Sequence, residues 1–436
     1  MIRKVLTAAA LMAAPLSLAA PAAAQDFTIT NARIADGLGD EIERGTITVR
    51  GGRIESVTAG GVAPNAIDVG GAWVTPGLIA AYSELGLSEV NAVASASDRD
   101  ADDSPFSAAL RAADAINAAS ATVPVSRLDG ITRSAAVIRP GDDIFAGTAA
   151  VFSMADGLAN PVVVPDAYQT IAFGERGAGL AGGARTATFA RLRDAFQEAE
   201  VFAQNPNRYT FGRTEDALLT RADAEALVDV VQGRVPAAFL VDRASDIRRV
   251  LALREEYPRL RMILFGVAEG WLVADEIARA GVPVMVTPMK NLPESFETLG
   301  ATQSNAGRLM AAGVDVAVVD IGYSTISPRL AQQAAQMVAQ ARVPGATGAS
   351  HGEALKTITS VPADMLGMDD AGRLAPGARA DIVVWDGDPL EATSAPVRIF
   401  IDGIEQPMES RQTKLRDRYN PIAAETGLPL HYSVPR

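Results

Sequence analysis

Over residues 237–341 the chain alternates short apolar runs with amphipathic stretches, and no other feature of the sequence limits the possible fold so strongly. The runs at 237–241, 260–265, 282–286 and 314–319 read as strands, and those at 244–256, 269–280 and 328–341 as helices between and after them. In the first helix Ile247, Val250, Leu251 and Leu253 recur at helical spacing, so one face is apolar and must lie against a sheet. Strands separated by helices pair in parallel. The expected architecture is an α/β one, a distorted (β/α)8 TIM barrel over 76–369. Its second to fourth strands are the least regular, over 88–164, where the acidic stretch 98–103 reads as a long loop.

The two ends read differently. Segments 27–34, 45–50, 53–57 and 72–74 alternate apolar and polar residues, and Gly51-Gly52 marks a hairpin turn. They carry too few apolar positions to close a core alone. Matching strands return at 380–385 and 397–403, so 25–75 and 370–410 are expected to form one composite N-/C-terminal β-sandwich. The tail, 411–436, is polar, with Leu415, Tyr419 and 428–430 as scattered apolar anchors along the surface.

Residues 1–24 have Arg3 and Lys4, an apolar run broken by Pro15, and Ala22-Ala23-Ala24 before Gln25, the pattern of a cleaved signal peptide. A periplasmic location is expected, with no membrane association after cleavage. With 0 Cys the chain has neither a disulfide nor a lipid-bearing cysteine. Taking Arg3 and Lys4 from the 39 basic residues, and none from the 52 acidic ones, leaves a net charge of −15, which disfavours nucleic acid and anionic lipid as partners.

Three segments carry a resemblance. The first is Val74-Thr75-Pro76-Gly77-Leu78-Ile79. The second is Val241-Asp242-Arg243-Ala244-Ser245-Asp246-Ile247. The third runs from Glu353-Ala354-Leu355-Lys356-Thr357 through Pro362-Ala363 to Leu374-Ala375-Pro376-Gly377-Ala378-Arg379-Ala380-Asp381-Ile382-Val383-Val384-Trp385. Together they resemble the amidohydrolase superfamily, in its imidazolonepropionase-like branch. That resemblance implies the barrel and sandwich already read from pattern, hydrolysis of C–N bonds in amides or cyclic amides, and zinc. Its metal hydroxide needs imidazoles at strand one, further ones at strands five and six, an Asp at strand eight and, in two-metal members, a carboxylated Lys at strand four.

Most of that set is missing. Tyr82 and Glu84 stand where the strand-one histidines would be, Asp242 where the strand-five one would be, and Phe265 closes strand six; Asp320 matches the strand-eight Asp. The 2 histidines, His351 and His431, fall at a late helix and in the tail, and the only lysines are Lys4, Lys290, Lys356 and Lys414. Two readings follow. In one the chain is a pseudo-enzyme with a degenerate metal site and no metal cofactor, a binding or scaffold partner that takes a small-molecule amide and forms a homodimer, or a heterodimer with a metal-complete relative. In the other it is a remodelled hydrolase whose carboxylates Glu84, Asp242 and Asp320 act with a hard cation or with no metal. Tyr82, Arg243 and Lys290 are then the substrate-binding candidates, and Arg243 and Lys290 would also offset repulsion among the three acids. Purified protein dialysed against zinc and then passed through a gel-filtration column is expected to retain far less than one zinc per chain by elemental analysis. Stoichiometric zinc held by barrel residues would overturn the assignment of these positions.

Overall fold

The computed structural model describes residues 25–61, 63–90, 93–206, 217–320 and 329–426, so the expected signal peptide, His431 and the anchors at 428–430 lie outside the described residues. Five strands lead: β1 (Phe27–Ala35), β2 (Glu41–Arg50), β3 (Arg53–Ala59), β4 (Ile67–Asp68) and β5 (Trp73–Pro76). The barrel strands follow: β6 (Leu78–Ser83), β7 (Ile131–Ala136), β8 (Phe145–Ser153), β9 (Val162–Ala172), β10 (Ala237–Val241), β11 (Met262–Gly266), β12 (Val284–Val286) and β13 (Val316–Val318). Last come β14 (Ile382–Trp385), β15 (Pro396–Ile401) and β16 (Ile404–Glu405).

Both chain ends build one sheet, in the order β16-β15-β14-β5-β1-β2-β3, with β4 also on β1. Its seam is the antiparallel pair β5–β14, which joins the start of the chain directly to its end. The Gly51-Gly52 turn, at φ 53° and 77°, lets β2 fold back as β3. The sheet then curls so that β3 reaches the segment leading into β14, where Ile54 N–H donates to Ala378 O at 2.8 Å, and Phe27 of β1 stacks on Phe400 of β15 at 4.5 Å. Ile29, Ile34, Ile47, Val49 and Val384 fill the space enclosed.

The second sheet runs β6 through β13 in sequence order. Its ends meet through residues 357–358 instead of a direct ladder. Val318 N–H donates to Thr357 O at 2.8 Å and Ile79 N–H to Ile358 O at 2.9 Å, so one short segment bridges β13 and β6. Alternate residues such as Ile79, Ala81, Ala149, Ala238, Ile263, Met285 and Ala317 point inward and make a packed interior, not a pore. The helix Ala244–Glu256 lays Ile247, Val250 and Leu253 on the outside of the sheet, as their spacing predicts.

The barrel departs from an all-parallel design at one strand. β8 runs antiparallel to both β7 and β9. Segments 137–144 and 154–161 explain why, since a parallel crossover takes about a dozen residues or more and these allow only hairpin returns. The tail also differs from expectation: it forms the helix Arg411–Thr426, on which Leu415 and Tyr419 are 40% and 52% exposed and so do not act as anchors.

A buried ion pair fastens the two sheets. Arg133 on β7 is 1% exposed and Asp381, at the foot of β14, is 2% exposed. The guanidinium donates to both Asp381 oxygens at 2.8 and 3.1 Å, and also pairs with Asp402 at 2.8 Å. Asp402 N–H in turn donates to Asp381 at 2.8 Å. Removing one partner strands the other charge in a dry site. Asp381→Ala is therefore expected to cost about 3–5 kcal/mol of stability in urea unfolding, with the Arg133→Met/Asp381→Leu pair recovering most of it.

Candidate functional site

The expected site residues sit at the strand ends that open toward the loops after β6, β10, β11, β12 and β13, but the three carboxylates have separate partners. Tyr82 lies near the end of β6 and Glu84 directly follows it. Glu84 is fully buried, with one oxygen 3.2 Å from Arg99 and the other against Arg139. Tyr82 is 7% exposed, and its ring meets that of Phe265 from β11 at 4.7 Å across the barrel interior. Burial pushes its phenol up to about 12, against the opposing pull of Arg139. Asp320 is 1% exposed and turned toward the next helix: it accepts from Arg329 N–H and from Gln333 Nε2, both at 3.1 Å.

Asp242 lines a cavity. The space measures about 480 Å³ and is walled by Phe173, Leu240, Phe265 and Met289, with Arg176, Lys290, Glu294 and Glu297 as its other charged groups. Oδ1 of Asp242 accepts from Ala268 N–H at 3.0 Å, and Oδ2 lies 4.0 Å from Lys290 Nζ. Burial raises this carboxyl above the usual range, although the Lys290 charge and the Ala268 hydrogen bond both oppose that rise. The local backbone is built around it. Gly266 has φ 91°, and a Cβ there would stand 2.7 Å from Asp242 Oδ1. Val267 has φ 43°, a strained state for a β-branched residue that costs about 1–3 kcal/mol. That strain is held by hydrogen bonds of Val267 N–H to Val241 O and of Asn305 Nδ2 to Val267 O, both 2.9 Å.

Arg243, expected at the mouth, instead pairs with Asp246 at 2.7 Å on the following helix, whereas Lys290 does face Asp242. Three groups escaped the sequence reading. Arg99 and Arg139 hold Glu84; the only sign was one arginine inside the acidic stretch 98–103. Glu297 joins the cavity from a distant loop, accepting from Glu175 N–H at 2.7 Å and Arg185 at 3.1 Å. Burial also raises its carboxyl; the Glu175 hydrogen bond opposes this, and the Asp242 charge adds to it.

These donors do not fit zinc, which takes nitrogen or sulfur ligands in a tetrahedron. The strand ends offer a phenol, a carboxylate held by two guanidiniums, a carboxylate beside an ammonium, a phenyl ring and a carboxylate capped by amide N–H groups. Among the described residues no three of His, Cys, Asp and Glu gather where a metal ion could be held, so Glu84, Asp242 and Asp320 do not form the expected oxygen-rich pocket.

A nearly closed eight-stranded barrel carried on a sheet made from both chain ends, with its cavity at the strand tips, defines a composite α/β-barrel protein. The model of the amidohydrolase family matches residues 209–399. The chain is 26% identical over 403 residues to Amidohydrolase tasK of Hapsidospora irregularis, covering 85% of this chain and 40% of that protein. It is 30% identical over 194 residues to the imidazolonepropionase of Paracoccus denitrificans, covering 40% of this chain and 47% of that one. It thus spans less than half the length of either relative. The crystal structure of an amidohydrolase from Thermotoga maritima superposes with a TM-score of 0.75 at 24% identity, over 87% of this chain and 99% of that one, a likeness of fold. The matching family model, these relatives and the shared fold support the amidohydrolase superfamily, in its imidazolonepropionase-like branch.

His351, the histidine within the described residues, lies away from the mouth. It opens the helix His351–Lys356, whose N-terminus is closed by a Ser350/Glu353 capping box. Its ring nitrogens lie 2.9 Å from Glu41 and 2.8 Å from Asp388, and its ring is 5.1 Å from that of Trp73, over which Arg33 sits. Burial alone would lower its pKa, but Asp388 and then Glu41 more than offset this and raise it above 6.5. A histidine raised in the folded state adds stability that is complete below its unfolded pKa and is lost as pH climbs through the folded value. The urea-midpoint difference between the native chain and His351→Gln is expected to be largest just below about pH 6.5 and to shrink toward alkaline pH. A difference that grows with pH would contradict the ion-pair role.

Proposed function

We propose that this chain is an exported amidohydrolase-fold binding protein, a pseudo-enzyme that uses the Asp242–Lys290 cavity to hold a small molecule. The observation that carries the reading is the Tyr82–Phe265 contact. Side chains of strands one and six meet at 4.7 Å inside the barrel, where the resemblance would put the metal-bound nucleophile. Glu84 supports it, because its oxygens are already taken up by Arg99 and Arg139. The family's C–N chemistry suggests an amide or cyclic amide as ligand. Asp242 and Lys290 offer such a ligand an acceptor for its N–H and a donor for its carbonyl, beside apolar walls.

A second reading, metal-free hydrolysis of C–N bonds, is favoured by one feature: Asp242 and Glu297 are two carboxyls raised by burial in one cavity, a pattern suited to acid–base work. Export is proposed from the composition of residues 1–24, and pairing with itself or with a metal-complete relative from the missing ligands. Light scattering of the purified protein, together with a search for a co-purifying relative, tests the pairing.

Hydantoin and N-acetylphenylalanine are suitable probes. No product is expected from either, with or without added zinc, while binding seen as a thermal shift should be lost in Asp242→Asn. Turnover that disappears in Asp242→Asn would replace the pseudo-enzyme reading with the hydrolytic one.

A further inference from the structure

Only four of the 39 basic residues are lysines, and Lys290 is the lysine that lines the mouth cavity. This chain uses arginine for its buried ion pairs, at Glu84 and at Asp381. An arginine at position 290 would give the same charge with a better carboxylate geometry. What lysine adds is an amine that can lose its proton and attack carbon. Lys290 Nζ lies 4.0 Å from Asp242 Oδ2 and 3.7 Å from Glu294 Oε2, close to two carboxylates but beyond hydrogen-bond length of either. Its side chain is 32% exposed and so is reachable from solvent.

We propose that Lys290 captures an aldehyde or ketone in this cavity as a covalent iminium; the inference rests on the mouth being a ligand-binding site. Asp242 takes one proton from the Lys290 ammonium. The freed Nζ electron pair attacks the carbonyl carbon, forming a C–N bond while the C=O π pair moves onto oxygen. That oxygen accepts a proton from the nitrogen, giving a carbinolamine. Asp242 then returns its proton to the hydroxyl, which leaves as water while the nitrogen pair closes the C=N bond. Ammonium plus carbonyl gives iminium plus water, with no oxidant or reductant.

The surroundings suit each stage. A desolvated carboxylate holds a proton more readily than a solvated one, which fits Asp242 as the carrier. Asp242 and Glu294 also stabilise the cationic product, and the buried Phe173 and Phe265 offer the apolar part of the carbonyl compound a wall to pack against.

The test is reductive trapping of the full chain with benzaldehyde and sodium cyanoborohydride, which fixes an iminium as a benzylamine wherever it formed. Peptide mass mapping then reports each lysine. Lys414, 69% exposed, is the internal measure of simple accessibility. Lys290 is expected to be labelled about tenfold faster than Lys414, and Asp242→Asn to remove that preference while leaving the Lys414 rate unchanged. Equal or faster labelling of Lys414 in the native chain overturns the proposal, as does an undiminished preference in an Asp242→Asn protein that still melts cooperatively. Hydantoin, which forms no iminium, separates the two ideas. If it shifts the melting temperature but Lys290 shows no preference, the covalent step falls and the binding reading stands; if neither is seen, both fall.

Discussion

The molecule depends on one buried charge pair. Arg133 belongs to the barrel and Asp381 to the sheet built from the chain ends, and their two hydrogen bonds cross a junction between those bodies that is both charged and dry. Apolar contacts could hold the sheets together with little preference for one orientation. A planar guanidinium facing a carboxylate has a single good alignment, and Asp402, reached through the turn after β15, adds a second point of attachment. Since β14 also pairs with β5, and β6 starts two residues after β5 ends, the pose of the first barrel strand is set from the same junction. Loss of alignment there would be felt at Tyr82 and Glu84.

The mouth itself is electrostatically divided. On the β6 side, two arginines pair with the buried Glu84, and Tyr82 of the same strand end packs on Phe265. On the β10 side, Asp242 is bonded at one oxygen, faces an amine at the other, and is cupped by a backbone that tolerates a strained valine to make room for it. Strain persists where the surrounding structure fixes it and function has use for it. The contrast between a sealed half and a strained, partly open half is the physical basis for placing ligand chemistry at Asp242 and not at Glu84.

Much of the fold was legible because its signals are local. The hairpin glycines, the 2-residue periods of the end strands, and the 3.6-residue period of the helix Ala244–Glu256 each act within a few positions. The β8 reversal was less legible: nothing in the apolar run Phe145–Ser153 gives its direction, which is decided by the shortness of the segments on either side. At the site, Asp242 and Lys290 could be placed because both follow barrel strands whose ends the pattern marks. Arg99, Arg139 and Glu297 could not, since they arrive on loops whose paths depend on packing. The same limit explains why three acids expected to repel one another proved to have separate partners: sequence position located the strand tips but not the direction in which each side chain leaves.

The reversed strand has a consequence for how such a barrel comes together. Strands β7, β8 and β9 form a meander whose contacts are close in sequence, whereas each parallel pair from β9 onward must wait for a longer stretch of chain to return. Closing a short loop costs less chain entropy than closing a long one, and topologies rich in near contacts form sooner. The meander is thus a built-in starting point for assembly within an otherwise slow, parallel architecture. Residues 357–358, which fill the gap between β13 and β6 and complete the ring, come after all eight barrel strands in the chain and close its longest-range contact, to Ile79.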